Sequence, residues 1–114
     1  MHELSVASNI IETVQRAVPE GEQCSVRSVN IRLGTQAGVV SDSLLFCFNV
    51  LKDDTPFRNA SLRIENVPFS IFCVSCNKTL LSVSGLLICP SCGGTDTTIV
   101  SGMELQIVDV ELDS

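Results

Sequence analysis

Two stretches of helical periodicity, three stretches of alternating apolar residues and one doubled pair of cysteines predict an α+β fold. The expected architecture is a small three-stranded mixed sheet with two helices, plus an inserted metal-held module. Cys73-Val74-Ser75-Cys76 and Cys89-Pro90-Ser91-Cys92 stand twelve residues apart. Four thiolates at this spacing suit a closed tetrahedral site, most often for Zn²⁺, so the insert reads as a zinc ribbon. Residues 1–68 and 99–114 are assigned to the α/β part and residues 69–98 to the ribbon.

The elements follow from local patterns. Leu4, Ala7, Ile10, Ile11, Val14, Ala17 and Val18 recur at helical spacing, predicting an amphipathic helix over 4–18 with Glu3 in its first turn. Pro19-Glu20-Gly21 stops it. Val29, Ile31 and Leu33 alternate with Ser28, Asn30 and Arg32, which predicts a half-buried strand. Gly34 to Gly38 is a turn, after which Ser41 or Asp42 is expected to cap a second helix. Leu44, Leu45, Cys47, Phe48 and Leu51 form its expected apolar face, and Asp53-Asp54-Thr55-Pro56 ends it. Leu62 and Ile64 alternate in a second strand that leaves at Pro68. A strand–helix–strand crossover implies that these two strands are parallel. The last strand runs from about Met103 to Leu112 and returns to the same sheet. Its apolar phase switches between Ile107 and Val108, which predicts a β-bulge or burial on both sides.

Composition narrows the function. A chain of 114 residues that is 45% hydrophobic but lacks Trp and Tyr builds one core from Val, Leu and Ile. The net charge of −6 becomes about −8 once four thiolates hold a divalent ion. Seven scattered basic residues are a poor match for phosphate backbones, so no nucleic-acid partner is expected. No signal peptide and no membrane-length apolar run is visible, so a cytoplasmic protein is expected. In that reducing compartment paired cysteines favour metal over disulfide. Cys47 is expected to be a small buried hydrophobe and Cys24 to lie exposed in a polar loop. The chain has one histidine, no phosphate loop and no nucleophile–base set, so an enzyme is not expected.

The ribbon fixes structure but leaves no ligand position open for a substrate. Iron is the rival ion, because Cys89-Pro90-Ser91-Cys92-Gly93 also resembles a rubredoxin knuckle; the aromatic core of those electron carriers is not evident, and zinc is preferred. The other metal chemistry lies at Met1-His2-Glu3. A histidine at position 2 is ordinarily an exposed residue on a frayed terminus. Yet the Met1 amine, the His2 backbone nitrogen and the His2 imidazole can converge on one ion, with a fourth position open to the Glu3 amide or carboxylate. A planar, nitrogen-rich set suits Ni²⁺ or Cu²⁺ rather than tetrahedral Zn²⁺.

Met1-His2-Glu3-Leu4-Ser5 resembles the start of the HypA/HybF family of nickel-delivery proteins for NiFe hydrogenase maturation. The resemblance continues through Ile31-Arg32-Leu33-Gly34, Ala37-Gly38-Val39-Val40, Ser43-Leu44-Leu45-Phe46-Cys47-Phe48, Cys89-Pro90-Ser91-Cys92-Gly93 and Ser101-Gly102-Met103-Glu104-Leu105. Membership implies a nickel metallochaperone that holds cargo nickel at Met1, His2 and Glu3, and structural zinc at Cys73, Cys76, Cys89 and Cys92. It implies as partners a HypB-type GTPase and the hydrogenase large subunit, and for some members the urease maturation proteins. Two departures stand out: Thr35 follows Gly34 where an acidic residue is often found, and no histidine flanks the knuckles. The alternative reading is a zinc-ribbon interaction module without nickel chemistry.

Overall fold

The structure, a computed structural model, describes residues 3–113; Met1, His2 and Ser114 lie outside the described residues. Helix α1 spans Glu3–Ala17 and buries Val6, Ala7, Ile10, Ile11 and Val14 on the face the periodicity marks. Its last carbonyls have no intrahelical donors. Buried Gln23, in the 3-10 turn Glu20–Ser25, supplies them: its side-chain amide donates to Gln15 O at 3.0 Å and Val18 O at 3.1 Å. Strand β1, Val26–Gly34, follows, then helix α2, Ser41–Leu51, and strand β2, Ser61–Val67.

Strand β6, Leu105–Leu112, completes a sheet of order β2-β1-β6. β1 and β2 are parallel, in register from Ser28↔Ser61 to Gly34↔Val67, and β1 and β6 are antiparallel. This is the mixed sheet expected from the pattern. The phase switch in β6 is a bulge rather than two-sided burial. Asn30 pairs with Asp109 and Ile31 with Ile107, so Val108 is the extra residue and is exposed. On the sheet's polar face Asn30 Nδ2 donates to Asp109 at 2.6 Å and to Glu111 at 3.0 Å, and Arg63 pairs with Glu111 at 3.3 Å. The core, between the sheet and the two helices, joins Ile10, Val14, Val29, Ile31, Leu33, Leu44, Phe48 and Phe57.

Helix α2 departs from expectation in two ways. Its buried stripe is narrow: Leu44 and Phe48 are buried, Cys47 and Leu51 are half-buried, and Leu45 is 38% exposed. The helix leans on α1 and β2 over one line of contact, which leaves Leu45 on the solvent side. Neither Ser41 nor Asp42 caps it. The N-cap is Val40, Ser41 Oγ donates instead to Asn66 Oδ1 at 2.8 Å, and Asp42 is exposed. Val40 N–H finds its acceptor across 37 residues, in Glu3 Oε2 at 3.1 Å.

The insert forms a second, antiparallel sheet of order β4-β3-β5: β3 is Ser70–Cys73, β4 Lys78–Leu81 and β5 Thr97–Ser101. β5 thus runs three residues past the expected boundary at 98, and β6 starts at Leu105 rather than Met103. The residues between them make the joint of the two sheets. Gly34 N–H donates to Glu104 O at 2.7 Å, and Gln36 N–H to Gly102 O at 2.8 Å. A radius of gyration of 17.4 Å and extents of 54 × 26 × 17 Å describe an elongated molecule. A compact chain of this length would have a radius of about 13 Å.

Candidate metal centre

Cys73 ends β3, Cys76 lies in the turn to β4, and Cys89 and Cys92 belong to the loop before β5. Their sulfurs all lie within 4.8 Å of one another. Among the described residues this is the one group of three or more His, Cys, Asp or Glu side chains placed to share an ion. Cys73 Sγ and Cys92 Sγ are 3.7 Å apart, and Cys76 Sγ and Cys89 Sγ 3.9 Å. These two separations share no atom, so they are opposite edges of one tetrahedron. A zinc–sulfur bond of about 2.3 Å gives a tetrahedral edge of about 3.8 Å. Two opposite edges thus match a thiolate-bound tetrahedral ion, and the other four stay within 4.8 Å.

The backbone explains why C-x2-C folds this way. Each pair closes a tight turn followed by a residue in the left-handed region, Asn77 at φ 52° and Gly93 at φ 74°. Asn tolerates that region better than most side chains, and Gly enters it freely. Asn77 N–H donates to Val74 O at 3.2 Å and Gly93 N–H to Cys89 O at 2.8 Å. Gly94 serves differently: its N–H donates to Cys92 Sγ at 3.4 Å, and a Cβ there would sit 3.2 Å from that sulfur. Cys89 N–H closes the loop on Gly94 O at 2.9 Å. Cys73 and Cys89 are buried, Cys76 is half-buried, and Cys92 is exposed.

Without metal, Cys89 and Cys76 are driven in opposite directions. The backbone N–H of Cys92, then that of Ser91, stabilises the Cys89 thiolate and lowers it from 9.0 to about 6, with desolvation opposing. Cys76 is pushed up to about 12, first by its hydrogen bond with Cys92, then by desolvation and by the neighbouring Cys73 and Cys89 sulfurs. Crowded thiols cannot all ionise together, so a divalent ion is what lets the set become four thiolates.

Of the terminal residues, Met1 and His2 lie outside the described residues. Glu3 is the first residue of α1 and reaches α2 through its carboxylate, a contact that no local signal in the sequence announces. Cys24 is exposed, as expected from its polar surroundings, and Cys47 is only half-buried. Among the described residues no helix is long and apolar enough to cross a membrane.

The family model described as "Hydrogenase/urease nickel incorporation, metallochaperone, hypA" matches residues 1–112. The hydrogenase maturation factor HypA of Chloroflexus aggregans is 41% identical over 112 residues, covering 97% of this chain and 98% of that protein. That of Desulfosudis oleivorans is 42% identical over 113 residues, covering 98% of both. The solution structure of the nickel metallochaperone HypA from Helicobacter pylori superposes with a TM-score of 0.68. It covers 98% of this chain and 97% of that one, at 18% identity, a likeness of fold alone. With the family model and both relatives running along nearly the whole chain, this protein belongs to the HypA family of nickel-incorporating metallochaperones for hydrogenase maturation.

Proposed function

We propose that this chain binds nickel at Met1, His2 and Glu3 and delivers it during NiFe hydrogenase maturation, while zinc at Cys73, Cys76, Cys89 and Cys92 holds the ribbon. The observation that carries this reading is the family match from residue 1, over a chain that opens Met-His-Glu. The chemistry supports it. A terminal amine, a backbone nitrogen and an imidazole offer three nitrogen donors in fused chelate rings, the set preferred by Ni²⁺ and Cu²⁺. Cu²⁺ binds such a set more tightly, so selection for nickel rests on metal supply and on docking to the recipient. Ligands at a chain terminus exchange one at a time, which suits cargo that must leave. The ribbon site is the opposite case: four protein thiolates close the coordination sphere and leave no exchange position. Zinc there supplies folding free energy to a small sheet with few large buried apolar groups.

In this reading residues 1–68 and 99–114 are the nickel-binding domain and residues 69–98 the zinc-ribbon domain, with the last three residues of β5 crossing that border within the ribbon's sheet. The protein is cytoplasmic, carries metal rather than catalysing a reaction, and meets a HypB-type GTPase and the hydrogenase large subunit; urease maturation proteins are a further recipient class. The test is calorimetric titration of untagged, zinc-loaded protein with Ni²⁺ at neutral pH, beside His2→Ala. One nickel per chain, lost in the variant, is the expected outcome. Equal binding in both proteins, or none in either, overturns the terminal site and leaves a zinc-ribbon interaction module.

A further inference from the structure

We propose that the Glu3 carboxylate positions the terminal nickel site: it caps helix α2 and anchors the start of α1 rather than coordinating the ion, which leaves the Glu3 backbone amide as that residue's donor to nickel. The inference rests on the nickel reading above and deepens it. Helix α2 has no cap of its own, since Val40 has no side-chain acceptor, Ser41 is diverted to Asn66 and Asp42 is exposed. The first helical bond runs from Leu44 N–H to Val40 O at 2.9 Å, so Val40 N–H is one of the donors the helix cannot satisfy internally. Glu3 Oε2 accepts it at 3.1 Å. A carboxylate is the best side-chain group for that place, because it answers both the orphan N–H and the positive end of the helix dipole.

The contact joins the first turns of two helices and continues into the sheet. Val40 precedes Ser41, which binds Asn66 in β2, and Val67 O next to it accepts Thr35 N–H at 2.9 Å. The start of α1 is thereby tied to the β1–α2 connection and to the parallel strand pair. Two residues of backbone reach at most about 7 Å, so anchoring Glu3 limits how far the preceding backbone can range from this point of the fold. Holding a chelating segment in place lowers the ordering cost of binding. Moving Oε2 onto the ion would strip α2 of its cap, so coordination through that oxygen competes with the fold.

The experiment uses the untagged, zinc-loaded full chain with Glu3→Ala and Glu3→Gln. It measures amide hydrogen exchange of Val40 and its neighbours in α2, Ni²⁺ affinity by calorimetry, and the ligand-field absorption of bound nickel. Glu3→Gln keeps an acceptor oxygen, whereas Glu3→Ala does not. Expected in Glu3→Ala are Val40 exchange faster by about fivefold or more and nickel binding weaker by about three- to tenfold. Glu3→Gln should restore both, and the absorption band should stay in place in both variants. Equal loss of nickel in the two variants, with a shifted band, makes the carboxylate a ligand and overturns the proposal. So does a Glu3→Ala variant whose nickel affinity is unchanged, whether or not its cap is lost. Failure of the terminal site itself shows separately, as unchanged nickel binding in His2→Ala, and the metal-free exchange data decide the cap in either event.

Discussion

Replacing Gly102 with Ala should loosen the joint between the two sheets more than any other single methyl added at a glycine outside that joint. Two costs combine. Gly102 has φ +105°, where an L side chain is strained by about 1–3 kcal/mol. Its added Cβ would also lie 2.4 Å from Phe69 Cα and 2.9 Å from Phe69 N, and relieving backbone overlap costs about 1–3 kcal/mol more. The sum, about 2–6 kcal/mol, is a large part of the roughly 5–15 kcal/mol available to a domain. Two companions separate the costs. Gly38→Ala meets nothing within 4 Å but has φ +80°, so it isolates strain at about 1–2 kcal/mol. Gly34→Ala has no left-handed φ, but its Cβ would fall 2.1 Å from Gly102 C, so it isolates the clash. Without Trp or Tyr the chain has no useful intrinsic fluorescence, so urea unfolding of zinc-loaded protein is followed by far-ultraviolet circular dichroism. A Gly102→Ala midpoint no lower than that of Gly38→Ala, at equal slope, would refute the close approach on which the estimate rests.

Cys73→Ala should abolish stoichiometric zinc and collapse the amide resonances of β3, β4 and β5 while those of α1, β1 and β2 stay dispersed; terminal nickel binding should survive. Full zinc stoichiometry in that variant would contradict the four-cysteine site. Acid should weaken the fold through Glu104 and Glu111, whose carboxyls both lie below the usual 4.5. Backbone N–H groups, its own and that of Gly102, hold Glu104 down, and Asn30, then Ser28 and Arg63, hold Glu111 down. A depressed carboxyl gives its stability in full above pH 4.5 and loses it as pH falls through the lower folded value. Glu111→Gln should flatten the dependence of the urea midpoint on pH below 4.5, and an unchanged slope would count against the Asn30 contact.

What was legible in the sequence were features whose cause is local. The bulge in β6 follows from a change of apolar parity between Ile107 and Val108, because parity decides which side of a sheet a residue faces. The four cysteines are legible because a knuckle is closed by its own backbone, and Asn77 repeats after the first pair what Gly93 does after the second. The cap of α2 was misread because Ser41 is a good local candidate that Asn66 takes away, and its replacement comes from Glu3, 37 residues distant. The width of α2's buried stripe was overestimated for a similar reason: Leu45 has the right spacing, but the described residues that bury Leu44 and Phe48 leave it 38% exposed. At the terminus the donor chemistry of Met1-His2-Glu3 is written in residue types alone, and its weight comes from the rest of the chain matching the family.

The joint shows why two stretches that bear no metal ligand carried so much of the resemblance. Ile31-Arg32-Leu33-Gly34 and Ser101-Gly102-Met103-Glu104-Leu105 are about 70 residues apart and read separately as a strand end and a turn. In the fold they meet. Gly34 N–H is bound to Glu104 O, Gln36 N–H to Gly102 O, and Glu104 Oε1 turns back to accept Gly102 N–H at 2.5 Å. Neither glycine leaves room for a Cβ, so the two sheets are held by main-chain hydrogen bonds at a distance that side chains would prevent. Beside this joint Gln36 of the α/β body lies against Gly85 of the ribbon, where a Cβ would fall 2.9 Å from its amide. A joint of this kind sets the register between the sheets through backbone geometry, which residue-by-residue hydrophobicity does not encode. It also leaves the outward side chains of both sheets outside the geometric demands of the joint.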